Sequence, residues 1–205
     1  MRGWLVSGLW AFVALQTAPA GTEALEIALV LDVSHSATHP AFFGQDRALV
    51  PDAIAAAAKE LQPADRIRIG TFGNAIVFTP DALSASDVTA RPPTTPELGG
   101  PSPIWDALDA AIAALQGARA RGAIVLVTDG RSSGNRLGFA DVLARVQSAK
   151  LPVLVIALDF DRTSPPDATV NLRRMAAATG GSFGLFKRAA MPGAIRRAIA
   201  DFRRR

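Results

Sequence analysis

Asp32, Ser34 and Ser36 stand at alternate positions in the run Asp-Val-Ser-His-Ser, directly after a stretch of strand-forming residues. In a chain that leaves a strand still extended, alternate side chains point the same way, so three oxygens can converge on one point. A cluster built only from oxygen favours a hard cation, Mg²⁺, Mn²⁺ or Ca²⁺. Each candidate also has a plainer reading when taken alone. Asp and Ser are common turn residues, Asp129 is half of an Asp-Gly turn, and Ser102, followed by Pro103, is a helix N-cap with proline at the first helical position. The conjunction changes the balance, because Asp32, Ser34, Ser36, Ser102 and Asp129 all fall at strand ends or helix starts that one topology brings to the same edge of a sheet. His35 and His39 adjoin the first loop, but with no third nitrogen or sulfur ligand they read as loop residues that touch a partner. Phe42 and Phe43 read as helix-start packing in preference to an apolar rim, and Trp105, one turn into its helix, reads as core.

The elements that must position these residues follow from hydrophobic patterning. Leu25 to Leu31 is an almost continuous apolar run, interrupted by Glu26, as in a strand buried on both faces. A helix is expected from about 45 to 61, where Val50, Ile54, Ala57 and Leu61 share one face; Pro63 closes it. Ile67 to Phe72 reads as a second strand, and Gly73-Asn74 turns the chain into a short antiparallel third, Ala75 to Phe78. The proline-bearing stretch from Thr79 to Gly100 reads as a loop with one short helix near 84–90. A helix from Ser102 to about 120 buries Ile104, Leu108, Ile112 and Leu115. Ala123 to Val127 is a fourth strand ending at Thr128-Asp129-Gly130. A helix over 137–149, a strand over 152–158, a helix over 172–179, a strand over 182–186 and a last helix over 191–202 complete the chain. This alternation calls for an α/β fold: a doubly wound, mostly parallel six-stranded sheet of order 3-2-1-4-5-6, with strand 3 antiparallel and helices on both faces. In that order the first and fourth strands are neighbours at the point where the winding reverses, the usual place for a ligand.

Composition narrows the setting. A length of 205 residues, 49% of them hydrophobic, supports one domain with a full core. Met1-Arg2, the uncharged Gly3 to Leu15 and Ala18-Pro19-Ala20 have the basic start, apolar middle and small-residue exit of a secretory signal, so residues 1–20 are expected to be removed on export to the periplasm or the exterior. The apolar run is shorter than the roughly 20 residues that span a bilayer. There is no cysteine, hence no disulfide and no lipid-attachment thiol. The net charge of +4 is mild and gathers in Arg196-Arg197 and Arg203-Arg204-Arg205, where cations complement a helix C-terminus. Only Phe202 interleaves with these arginines, which argues against nucleic acid as a partner.

The run Asp32-Val33-Ser34-His35-Ser36 resembles the DxSxS motif of the metal-ion-dependent adhesion site in von Willebrand factor type A domains, and Thr128-Asp129-Gly130 resembles that family's later aspartate. Gly99 to Leu108, read as Gly-Gly-Pro-Ser-Pro-Ile-Trp-Asp-Ala-Leu, is similar to the segment in which the family carries a threonine before its next helix. Leu61 to Arg66 is similar to the approach to its second strand. The resemblance covers residues 25–203 and implies one Rossmann-like von Willebrand factor type A domain. It implies that Ser34 and Ser36 bind a metal directly, that Ser102 does so directly or through water, and that Asp32 and Asp129 act mainly through water. Ser102 replaces the usual threonine and follows an additional proline, Pro101; a serine can still coordinate but lacks the methyl that restricts the rotamer.

The implied function is binding of a protein partner whose acidic residue completes the shell of a Mg²⁺, Mn²⁺ or Ca²⁺ ion. An enzyme is the main rival, a Rossmann-like metal-dependent hydrolase for instance. Position 34 carries serine where a second aspartate would stand, no Gly-rich phosphate loop follows the first strand, and no Gly-x-Ser-x-Gly motif occurs. A third reading is a scaffold of the same fold that binds through its basic C-terminal helix without metal.

Overall fold

Strand β1, Leu25–Asp32, is buried at every position, as a central strand with helices on both sides must be. The computed structural model describes residues 23–38, 48–91, 97–118, 120–158 and 166–205. The export signal read at 1–20, and His39, Phe42 and Phe43, lie outside them. Beyond β1 come α1 (His35–Thr38), α2 (Leu49–Ala58), β2 (Arg66–Phe72), β3 (Ile76–Phe78), α3 (Ala85–Ala90), α4 (Ile104–Ala114), β4 (Arg121–Thr128), α5 (Phe139–Ser148), β5 (Val153–Leu158), α6 (Pro166–Ala178), β6 (Ser182–Phe186) and α7 (Met191–Arg204).

The sheet runs β3-β2-β1-β4-β5-β6, the order expected from the sequence. Every neighbouring pair is parallel except β2 with β3, which is antiparallel. Side chains alternate across β1, so Leu25, Ile27, Leu29 and Leu31 join α2 and α7 in one core layer, while Ala28 and Val30 face α4 in the other. That second layer also takes Val142 and Val146 of α5 and Leu172 and Met175 of α6. Trp105 is buried there, edge-on to Phe139 at 5.2 Å between ring centroids. Full burial of such side chains supplies roughly 1.5–3 kcal/mol apiece, which is why the uninterrupted apolar runs define the sheet's centre.

Several boundaries differ from the sequence reading. α2 is shorter than expected, ending at Ala58, although Leu61 still packs on the core. The helix expected from Ser102 begins only at Ile104, with Pro103 in the cap position, and stops at Ala114, short of 120. Ser102 is therefore not an N-cap; its hydroxyl is committed elsewhere. α6 starts at Pro166, well before Leu172, because proline's missing N–H costs nothing in a first turn. The helix near 84–90 is present and carries a capping box from Ser84 and Asp87.

At the amino-terminal end of the strands, Asp65 fastens three elements. Its buried carboxylate accepts from the Leu25 amide (2.8 Å), the Gln62 amide (2.6 Å) and the Arg203 guanidinium. Burial pushes its pKa up, but the Arg203 hydrogen bond and the two amides outweigh burial and hold it below the ordinary 3.8. Arg121 adds a second clasp, donating to the Phe202 (2.8 Å) and Arg203 (3.2 Å) carbonyls that end α7, with its guanidinium 4.6 Å from the Phe202 ring centroid.

Candidate metal centre

The opposite, carboxyl-terminal end of the strands carries the chemistry. Parallel pairing of β1 with β4 aligns Leu31 with Val127, so Asp32 and Thr128 emerge side by side from the sheet. Asp32 is buried and accepts three hydrogen bonds. Its Oδ1 accepts from the Ser34 amide at 3.0 Å, and its Oδ2 accepts from the Ser102 hydroxyl at 3.0 Å and the Thr128 hydroxyl at 2.6 Å. Ser34 and Ser36 bring their Oγ atoms to 3.4 Å. The convergence expected of them is present, but its cause is different: the strand ends at Asp32 and the chain turns into the single helical turn α1, which swings Ser36 back beside Ser34.

Asp129 lies next in the chain to Thr128 and is also buried. Its Oδ1 accepts from the Arg131 amide at 3.0 Å, whereas its Oδ2 is buried with no hydrogen-bond partner among the described residues. The nearest Arg131 nitrogen, Nε, is 3.9 Å from that oxygen, an ion pair but not a hydrogen bond. Burial, and then repulsion by the Asp129 carboxylate, push Asp32 from 3.8 up to about 6, against the opposing hydrogen bonds from Ser34 and Thr128. A buried carboxylate raised by its neighbour, beside a carboxylate oxygen that lacks a hydrogen bond, is what a cation relieves. The side chains of Asp32, Ser34, Ser36, Ser102 and Asp129 all offer oxygen, a set that suits a hard divalent ion. Among the described residues no group of three or more His, Cys, Asp or Glu comes together, so the hydroxyls of Ser34, Ser36 and Ser102 are integral to any such site.

The surrounding loops are rigidly built. Gly100 (φ +83°) accepts from the His35 amide at 3.0 Å, and a Cβ there would meet the Asn74 amide nitrogen at 2.6 Å, so only glycine lets the Ser102 loop lie this close. The loop after β4 is tied to the start of α4. Ser133 accepts from the Ser102 amide (3.0 Å) and returns its own amide to the Ser102 carbonyl (2.9 Å); Asn135 Oδ1 accepts from the Trp105 amide (2.7 Å). Buried Asp106 accepts from the amides of Arg136 (3.0 Å) and Leu137 (2.9 Å), and those bonds, with Arg136's side chain, overcome burial to hold its pKa below the ordinary value. His35, Ser36, Gly100, Ser102, Arg131, Ser132 and Ser133 line a cleft of about 320 Å³ over this floor.

The sequence reading brought Asp32, Ser34, Ser36, Ser102 and Asp129 to one place and missed Thr128, whose hydroxyl is as close to Asp32 as any. Its position opposite Asp32, one residue past the last paired rung of β1 and β4, was the available signal. Arg131, Ser133 and Asp106 were also unread, because their roles depend on where a polar loop folds back.

No protein-family model matches the sequence, and no curated protein matches it. Solved structures do. The von Willebrand factor type A protein from Catenulispora acidiphila superposes with a TM-score of 0.68 at 19% identity, over 87% of this chain and 42% of that one. Proximal thread matrix protein 1 from the mussel byssus, with a zinc-occupied MIDAS motif, gives 0.67 at 16% identity over 87% of this chain and 46% of that one. The vWF domain of a type V pili tip protein from Porphyromonas gingivalis gives 0.65 at 11% identity over 88% and 95%. This chain thus spans under half of the first two and nearly all of the third. The fold is that of a von Willebrand factor type A domain.

Proposed function

We propose that this chain is an exported, divalent-cation-dependent protein-binding module that works without catalysis. The observation that carries the reading is the buried Asp129 Oδ2, without a hydrogen bond, beside a second buried carboxylate under a cleft lined with hydroxyls. The zinc-occupied motif of the mussel protein and the pilus-tip origin of the Porphyromonas domain support it by analogy of fold. Export rests on the signal-like residues 1–20; among the described residues no helix is long and apolar enough to cross a membrane.

In this reading Ser34 and Ser36 present hydroxyl lone pairs to the ion. Ser102 gives its proton to Asp32 and so keeps its lone pairs for the ion or for a water on it. Asp32 and Asp129 act mainly through water, balancing charge from behind. A bound Mg²⁺, with Mn²⁺ or Ca²⁺ as alternatives, would supply a Lewis-acidic centre for an acidic side chain of the partner protein. Neutral hydroxyls nearest the ion keep that centre receptive.

The test is calorimetric titration of Mg²⁺ and Mn²⁺ into chelator-treated protein. Saturable one-site binding that disappears in Asp32→Ala and Ser34→Ala, with circular dichroism unchanged, is the expected result. Partner binding that survives both substitutions and chelation would transfer the function to a metal-independent surface, of which the exposed Arg196 and Arg197 on α7 are the first candidate.

A further inference from the structure

Thr128 is committed on two sides of the candidate centre. Its hydroxyl gives its proton to Asp32 Oδ2 at 2.6 Å and accepts the Gly130 amide at 2.9 Å. A hydroxyl has a single proton, so the donation fixes its direction and the incoming amide occupies a lone pair. Thr128 and Asp32 are each 1% exposed, so the bond between them is made out of reach of bulk water, where it counts for more. Thr128 is also β-branched, with a stiff χ1, and stands on the last paired rung of β4, opposite Ala157 of β5.

The two bonds reach different halves of the site. Through Oδ2 the hydroxyl orients the Asp32 carboxylate, whose other oxygen is held by the Ser34 amide at 3.0 Å. Through Gly130 it closes the turn that carries Asp129. Gly130 stands at φ +78°, a conformation that favours glycine, and the next amide, that of Arg131, reaches back to Asp129 Oδ1 at 3.0 Å. Ser102, the other hydroxyl on Oδ2, comes from the loop before α4 and makes no bond to this turn's Gly130 amide. One side chain thus sets two carboxylates relative to each other.

Mg²⁺ demands near-ideal octahedral geometry at short distances, whereas Ca²⁺ accepts more oxygens at longer and more variable ones. A site whose carboxylates are set in advance discriminates between the two ions, and a site whose carboxylates can shift loses that discrimination. We infer that Thr128 is a positioning residue that couples Asp32 to Asp129 and gives the site a preference for Mg²⁺ over Ca²⁺. This role rests on the proposed cation-dependent reading and deepens it. A role limited to satisfying the end of β4 would change the stability of the fold and leave the ratio of Mg²⁺ to Ca²⁺ affinity where it was.

The experiment is calorimetric titration of Mg²⁺ and, separately, Ca²⁺ into the chelator-treated full chain as wild type, Thr128→Val and Thr128→Ser, with circular dichroism as the folding control. Wild type is expected to bind Mg²⁺ the more tightly. Thr128→Val keeps the shape and removes the hydroxyl, and should weaken Mg²⁺ by about tenfold or more and Ca²⁺ by less than about threefold. Thr128→Ser restores the hydroxyl, and its ratio of the two affinities should stay within about twofold of wild type. Where the valine variant does not fold, Thr128→Ala carries the same expectation. Equal losses for the two cations, a serine variant that fails as valine does, or a wild type that favours Ca²⁺ would overturn the role of Thr128 and leave the cation-dependent reading standing. Saturable binding of neither cation by wild type would overturn both.

Discussion

Two buried carboxylate centres sit at opposite ends of the same sheet and are treated in opposite ways. At the amino-terminal end Asp65 has two backbone amides and a guanidinium, and its acidity is strengthened. At the carboxyl-terminal end Asp32 faces Asp129, its pKa is raised to about 6, and one oxygen of Asp129 has no hydrogen-bond partner among the described residues. Buried charge that is fully compensated holds structure together, whereas buried charge left short of a cation stores a cost that a ligand can remove. The first centre pins the start of β1 to the end of α7; the second, in the proposed reading, is completed by a cation.

The largest effect expected from this contrast is on Asp65. Asp65→Ala strands the Arg203 guanidinium and two amides, and urea unfolding should register a loss of about 3–5 kcal/mol. Asp129→Asn at the other centre should behave in reverse: metal-free stability unchanged or raised by about 1 kcal/mol, since like-charge repulsion is relieved, together with loss of calorimetric Mg²⁺ binding. A destabilisation by Asp129→Asn as large as that by Asp65→Ala would break the comparison.

The pH dependence sharpens it further. Asp32 is raised, so the folded state holds its proton more tightly than the unfolded chain, and metal-free stability should fall as pH rises from 3.8 to about 6. Asp65 and Asp106 are lowered, so their contribution is present above 3.8 and is lost as pH falls below it. Urea midpoints across pH 3 to 8 should therefore contain both trends, and Asp32→Asn should abolish the decline between 3.8 and 6 without touching the acid limb. A decline that persists in Asp32→Asn would assign it to another group.

The smallest effect belongs to the exposed pair Arg145 and Asp109, 2.8 Å apart on α5 and α4 with side chains 52% and 31% exposed. Arg145→Ala should change the unfolding free energy by under about 1 kcal/mol. A larger loss would mean that compensation of surface charge also matters to this fold.

Most of the architecture was legible in the chain because its signals are local. Near-continuous apolar runs such as Leu25 to Leu31, interrupted by Glu26, and Val153 to Leu158 favour a central strand, and strands alternating with amphipathic helices leave few sheet orders. The same order placed Asp32 and Asp129 at one edge before any geometry was known. Helix limits were less legible: the Ser102-Pro103 pair signals a helix start, and the helix does begin at Ile104, but Ser102 does not cap it because its hydroxyl bonds a buried carboxylate.

What the sequence determined by itself, then, is the α/β class with its run of strands and helices, and the oxygen-bearing residues Asp32, Ser34, Ser36, Ser102 and Asp129 at element ends, since burial periodicity follows from residues near one another in the chain. Tertiary structure alone decided that Ser36 arrives by a helical turn, that Thr128 and Ser102 share Asp32 Oδ2, that Asp129 Oδ2 goes without a hydrogen bond among the described residues, and that Arg131 lines the cleft. Those facts depend on how loops separated by 70 and 96 residues meet, and hydrogen-bond satisfaction at such distances is settled by packing, not by composition.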